Sequence, residues 1–312
     1  MDLSIVIPLY NEEESLPELT EWIVRVMEEN NFDYEIIFID DGSTDNSWEV
    51  IRGLRKQYPR IRAYRFRRNY GKAAGLYVGF QKAKGDVIIT MDADLQDSPD
   101  EIPALYRMIT EQGYDLVSGW KKKRYDPWLS KNLPSKIFNF TARMVSGLKL
   151  HDFNCGLKAY KAKVAKAIEL YGDMHRYIPI LAKNAGFKRI GEKVVQHRPR
   201  KYGKSKFGAS RFIHGFLDLL TLTFLSNFAK RPMHFFGSLG MLSFLVGFII
   251  LAYLSYEKLF HDVYKITDRP LFYLGVLTVI LGTQLFLTGF LGDMITRNSP
   301  VRNEYQIDET LE

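Results

Sequence analysis

Two stretches without a single Lys, Arg, Asp or Glu, Met233 to Tyr256 and Leu271 to Gly292, constrain this chain more than any other feature. Each meets the roughly 20 residues that a bilayer-spanning helix requires. Uncharged core helices of that length are uncommon in soluble domains, so the pattern predicts two transmembrane helices. The remainder of the 312 residues is polar enough to fold in water and long enough to bury a core. The first residues, Met1-Asp2-Leu3-Ser4, lack the basic region and cleavage site of a signal peptide. The single cysteine excludes an intramolecular disulfide, and Cys155 is expected to be a small buried thiol.

Strand-like runs alternate with helical periods through the first half. Leu3 to Ile7, Tyr34 to Ile39, Ile61 to Phe66 and Val87 to Met91 read as strands. Leu16, Leu19, Ile23 and Val26 mark a helix, and Trp48, Ile51 and Leu54 mark the next. Such alternation predicts an α/β domain with a parallel sheet covered on both faces. Ligands of such sheets bind beyond the carboxyl ends of the strands, where Asn11, Asp41 and Asp92 fall.

The fourth strand runs into Thr90-Met91-Asp92-Ala93-Asp94-Leu95-Gln96-Asp97. In an extended chain Asp92 and Asp94 project to one side. Two like charges held together need a partner, and hard oxygens suit Mg²⁺ or Mn²⁺. A polar turn capped at Ser98 is the simpler alternative, and Asp97 is expected only to cap the following helix. The first strand-to-helix turn, Pro8-Leu9-Tyr10-Asn11-Glu12, has neither the glycines of a dinucleotide fold nor a P-loop. Without them the backbone cannot hug a pyrophosphate, so a cation at Asp92 and Asp94 would have to neutralise it.

Pro8-Leu9-Tyr10-Asn11-Glu12, Asp40-Asp41-Gly42-Ser43-Thr44-Asp45 and Met91-Asp92-Ala93-Asp94-Leu95-Gln96, in this order and spacing, resemble glycosyltransferase family 2. The likeness is to the branch containing dolichol-phosphate mannose synthase and bacterial polyprenyl-phosphate glycosyltransferases, and it extends to the paired membrane helices. It implies a GT-A (Rossmann-like) fold and a nucleoside-diphosphate sugar donor of UDP-glucose or GDP-mannose type. By that resemblance Pro8, Tyr10, Glu12, Asp41, Lys72, Asp92 and Ala93 would contact the nucleotide sugar, and Asp92, Asp94 and Gln96 the metal.

Basic segments follow. Trp120-Lys121-Lys122-Lys123-Arg124 is the composition of a solvated loop, but its place before the membrane segments suits a lipid phosphate. Arg124, Lys131 and Ser135 match acceptor-phosphate residues of the resembling family, with Lys131 where that pattern has Arg. Trp120 and Trp128 could sit at headgroup level. No nucleic-acid motif accompanies the run, so nucleic acid is not an expected partner. Asp152 matches the family's catalytic base. An acceptor phosphate with a second pKa of about 6 is already largely a dianion and has little need of one, so Asp152 would instead orient a neighbour. An Asx-turn is the structural alternative. Arg198, Arg200 and Lys204, in His197-Arg198-Pro199-Arg200-Lys201-Tyr202-Gly203-Lys204, suit either a loop closing over the leaving diphosphate or a juxtamembrane patch.

Ile213, Phe216, Leu217, Leu220, Phe224 and Phe228 predict an interfacial amphipathic helix. The expected domains are a GT-A domain at 1–210, that helix at 211–231, a two-helix transmembrane domain at 232–295 and a tail at 296–312. Both basic segments precede the first span, so the positive-inside rule puts the large domain and both termini in the cytoplasm. The expected activity is an inverting transfer of a sugar to polyprenyl phosphate, inversion being implied by the resemblance. A glycan acceptor is the nearer alternative, but the Gln-x-x-Arg-Trp motif of processive synthases is absent. A non-catalytic sugar-nucleotide binder would be expected to lose the carboxylates that Asp92 and Asp94 retain. The implied partners are the donor, the polyprenyl phosphate, the membrane and, where copies associate, a homo-oligomer.

Overall fold

The computed structural model describes residues 1–122, 133–170, 172, 174–199, 201–202, 232–261 and 265–297. Its contacts divide the chain into two compact units, Met1–Leu219 and Leu220–Glu312. The expected interfacial helix at 211–231 lies outside the described residues, as do residues 298–312 of the expected tail.

In the first unit, β1 (Leu3–Leu9), β2 (Tyr34–Asp40), β3 (Ile61–Arg65), β4 (Val87–Thr90), β5 (Leu116–Trp120), β6 (Lys158–Lys161) and β7 (Ile190–Val194) form one sheet. Their order is β3-β2-β1-β4-β6-β5-β7. Every residue of β1 and β2 is buried, which is why both read as unbroken apolar runs. Seven helices accompany the strands among the described residues of this unit: α1 (Leu16–Glu29), α2 (Ser47–Gln57), α3 (Lys72–Lys82), α4 (Ile102–Thr110), α5 (Leu133–Ser146), α6 (Ala162–Ala167) and α7 (Ile178–Asn184).

Alternation along β1 divides the core. Leu3, Ile5 and Ile7 join one apolar cluster with Leu16, Leu19, Ile23 and Met27 of α1. Val6 and Pro8 face the other way, against α3, where Gly75 and Gly79 let the helix approach. Pro8 does not end β1, which continues to Leu9. Val6 C=O accepts from Met91 N–H at 3.3 Å, and β4 has already stopped at Thr90. Two residues on, the missing N–H of Pro8 therefore turns to a side with no partner strand to lose.

The sheet is not wholly parallel. The pairs β1–β2, β1–β4, β2–β3 and β5–β7 are parallel, but β6 runs antiparallel to both β4 and β5. β6 consequently begins at the edge where β4 ends, and the turn preceding it, residues 151–156, arrives beside Asp92.

In the second unit a π-helical turn, Met233–Gly237, leads into α8 (Ser238–His261), and a 3-10 turn, Ile266–Asp268, precedes α9 (Pro270–Arg297). Met233–His261 and Pro270–Ile295 are long and apolar enough to cross a membrane. Glycines line their contact. A Cβ on Gly282 would stand 2.5 Å from Phe244 N and 2.7 Å from Gly240 O, and one on Gly247 would stand 2.7 Å from Gly275 O. Gly240 and Gly247, like Gly275 and Gly282, are seven residues apart, the repeat of a left-handed helix pair. Ser243 Oγ donates to Thr278 C=O at 3.0 Å across the same contact. The large side chains point outward, with Leu242 61% and Ile249 64% exposed, the reverse of a soluble bundle. Gly282→Leu is expected to destabilise the pair by about 1–3 kcal/mol. This would appear as a lowered thermal midpoint of the detergent-purified protein, while the outward Leu281→Ala leaves the midpoint unchanged.

Candidate active site

Three strand-to-helix loops are tied together at the carboxyl edge of the sheet. Asn11 takes a left-handed φ of 55°, which asparagine tolerates. Its N–H donates to Ser43 Oγ at 2.9 Å, and its Oδ1 accepts from Thr44 N–H at 2.8 Å. Glu12 N–H donates to Ser47 Oγ at 2.9 Å. The first two motifs are thus one structure, with part-buried Tyr10 and Glu12 at its rim. Asp41 reaches the third loop, its carboxylate accepting from Tyr70 N–H at 2.7 Å and Gly71 N–H at 2.9 Å. Burial raises the Asp41 carboxyl above its ordinary range, and the two N–H groups offset this only in part. Gly42, at φ 73°, lies where a Cβ would meet the Arg68 carbonyl carbon at 2.6 Å, so this turn requires glycine.

The chain does not stay extended past β4. It bends over residues 93–95, with Leu95 at φ 60°. Asp92 forms an ion pair with Lys72, the first residue of α3. Burial would raise the Asp92 carboxyl, but Lys72 and Lys121 hold it well below the carboxylate range. Asp94 Oδ1 accepts from Gln96 N–H at 3.1 Å. Ala93 lies in the apolar core, so only its backbone is available to a ligand. Asp97 is not a helix cap. It is fully buried, its Oδ1 standing 2.7 Å from Lys121 Nζ. Ser98 makes no side-chain cap either, its Oγ donating to Asp100 Oδ2 at 3.1 Å.

The turn before β6 completes the edge. Thr90 Oγ1 donates to Gly156 C=O at 2.8 Å, and a Cβ on Gly156 would lie 2.6 Å from Asp92 Oδ2. Asp152 is buried, and its Oδ1 accepts from Asn154 N–H at 3.0 Å, the Asx-turn the sequence allowed. Phe153 N–H donates to Asn139 Oδ1 on α5 at 3.1 Å. Lys158 Nζ donates to Cys155 C=O. Lys121, Lys158 and Gly156 were not expected here. A lysine inside the apolar run Leu157-Lys158-Ala159-Tyr160 was the available signal.

The start of the second basic segment is fastened to this unit. Arg198 N–H donates to Gln96 C=O at 3.0 Å, and Asp97 and His197 form a β-bridge. The Arg198 guanidinium lies 4.0 Å from the Trp22 ring centroid, and Lys201 Nζ 2.7 Å from Glu18 Oε2. Trp120 stacks on His151 with centroids 4.1 Å apart, which engages it within the domain. Arg124, Trp128, Lys131, Arg200 and Lys204 lie outside the described residues, and so does the side chain of Ser135.

Residues 4–169 match the family described as glycosyl transferase family 2. The chain belongs to glycosyltransferase family 2. The dodecaprenyl-phosphate galacturonate synthase of Rhizobium johnstonii is 38% identical over 304 residues, covering 95% of this chain and 88% of that protein. The undecaprenyl-phosphate 4-deoxy-4-formamido-L-arabinose transferase of Proteus mirabilis is 34% identical over 296 residues, covering 95% and 88%. Glucosyl-3-phosphoglycerate synthase of Mycobacterium tuberculosis, solved with Mn²⁺, UDP-glucose and phosphoglyceric acid, superposes with a TM-score of 0.57 at 18% identity, covering 71% of this chain and 79% of that one. The domain has the GT-A-like α/β fold, with its mixed seven-stranded sheet.

Among the described residues no three His, Cys, Asp or Glu side chains gather as a metal cage. The donor set still fits Mg²⁺ or Mn²⁺, because such ions take one or two carboxylates and complete their shell with substrate phosphates and water. The Lys72 ammonium already stands as a cation against Asp92.

Gly156→Ala is expected to lower kcat/KM about 10- to 100-fold by displacing Asp92, with an unchanged far-ultraviolet circular dichroism spectrum. Burial pushes the Cys155 thiol up to about 12, so iodoacetamide is expected to leave it unlabelled at pH 8 in the native protein. Labelling in denaturant and none without it is the result that checks this.

Proposed function

We propose that this chain transfers a sugar from a nucleoside diphosphate to a polyprenyl phosphate, giving a lipid-linked monosaccharide at the inner face of the membrane. The observation carrying this is the convergence at Asp92 of the Lys72 ion pair, the Gly156 turn and the Gln96–Arg198 link in a family 2 domain. The two apolar helices and the acceptors named for the relatives support a lipid acceptor. Those relatives are named for galacturonate and a formamido-arabinose, so the expectation of a UDP-glucose or GDP-mannose donor is widened to nucleoside-diphosphate sugars.

Pro8, Tyr10, Glu12, Asp41, Lys72, Asp92 and Ala93 bind the nucleotide sugar at the locked loops. Asp92, Asp94 and Gln96 hold Mg²⁺ or Mn²⁺, which when bound neutralises the leaving diphosphate. Arg124, Lys131 and Ser135 receive the acceptor phosphate. An oxygen of that phosphate forms a bond to the anomeric carbon as the bond from that carbon to the diphosphate oxygen breaks. The nucleoside diphosphate leaves with the electron pair, and configuration inverts. Arg198, Arg200 and Lys204 offset charge on the leaving group. A dianionic acceptor has no proton to lose, and buried Asp152 orients its neighbours. The proposed domains are 1–210, 211–231, 232–295 and 296–312. The basic segments ahead of the first span support a cytoplasmic side for the first of these and for both termini.

Lipid-linked product from undecaprenyl or dolichyl phosphate is expected with a panel of nucleotide sugars, to vanish with chelator and to return with Mn²⁺ or Mg²⁺. Asp92→Asn is expected to slow turnover about 100-fold or more. Asp152→Asn, which keeps the turn, is expected to retain most of the activity. Donor hydrolysis that is indifferent to polyprenyl phosphate and to chelator would overturn the proposal, and a dead Asp152→Asn would restore the base.

A further inference from the structure

Two polar groups beside Asp92 have no part in the steps above. Lys158 sits directly across from Thr90 in the antiparallel register of β6 on β4, two residues from Asp92. It is 2% exposed, and its ammonium donates to the Cys155 carbonyl. The carboxylates of Asp152 and Asp92 act on it from beyond ion-pair distance, and among the described residues none is in contact with it. His175 stands in a 3-10 turn, Met174–Arg176, that packs against α3, and its Nδ1 is buried with no hydrogen-bond partner. The charges around His175 are Lys72, Arg176 and Lys158 against one carboxylate, Asp92. Asp92 is already matched by Lys72.

A buried ammonium with no carboxylate in contact and a buried imidazole nitrogen without a partner are both unfavourable. One small anion answers both, accepting a charge-assisted hydrogen bond from Lys158 and a second from the imidazole. The diphosphate is allotted to Asp92 and Asp94, and the acceptor phosphate to Arg124, Lys131 and Ser135. The anion left to place is one carried by the sugar.

We infer that the transferred sugar is a hexuronic acid whose carboxylate is received between Lys158 and His175. The inference rests on the proposed glycosyl transfer and adds the class of sugar. A neutral hexose would leave both groups unsatisfied, so the site discriminates by the partners it withholds.

The full chain in detergent with undecaprenyl phosphate is assayed with UDP-galacturonic acid, UDP-glucuronic acid, UDP-galactose and UDP-glucose. The Kd of each donor is measured separately without acceptor. A uronate is expected to exceed its neutral counterpart at least about tenfold in kcat/KM and to bind more tightly. Lys158→Met and His175→Leu are expected to reduce that ratio about tenfold or more. His175→Gln, which keeps an amide donor, is expected to retain part of it, and it carries the test if Lys158→Met does not fold. Lipid product made preferentially from neutral donors overturns the inference and leaves the transferase standing. Variants that raise the KM for undecaprenyl phosphate equally with every donor assign the site to the acceptor phosphate and also overturn it. No lipid product from any donor sinks the transferase proposal, while the Kd comparison still decides this one.

Discussion

The ion pair between Lys72 and Asp92 is the contact on which the carboxyl edge depends. A buried strand delivers Asp92, and a carboxylate there would be expensive without a counter-charge. The first residue of α3 supplies that charge, so the start of the helix, the end of β4 and the glycine turn before β6 are fixed together. Asp97 and Lys121 repeat the device one layer deeper, joining the Asp92 loop to the residue that follows β5. A ligand with its own charges must exchange partners with these pairs. Substrate binding therefore meets two carboxylates that already have counter-charges.

Much of this was legible in the sequence because the signals were local. Unbroken apolar runs marked β1 and β2, a helical period marked α1, and three ordered acidic motifs marked the edge. The direction of β6 was not legible, since a four-residue strand carries no sign of its polarity. Nor were the pairings of Lys121 with Asp97 or Arg198 with Trp22, which join residues far apart in the chain. Gly156 gave no warning because the reason for a missing side chain lies on another strand. Asp97 was misread for the complementary reason, as an acid before a helix looks like a cap until a buried lysine claims it.

The second basic segment was expected as a closing loop or a juxtamembrane patch, and its first residues are anchored to the domain. Arg198 rests on Trp22, whose indole N–H donates to Asp100 at 2.8 Å, and its backbone is stitched to Gln96. The Arg198 guanidinium is thus held by Trp22 while its backbone is held beside the Asp92 loop. The reach of the side chain is set by that anchor point beside the proposed metal loop.

The glycine contact between α8 and α9 also bears on where a lipid can travel. At Gly240 with Gly282 and at Gly247 with Gly275 the two backbones touch. A seam closed in this way has no room for an isoprenoid tail. The pair is a solid post, and a prenyl chain running beside it must use the outward faces, where the side chains of Leu242, Phe248 and Ile249 form the surface it would meet.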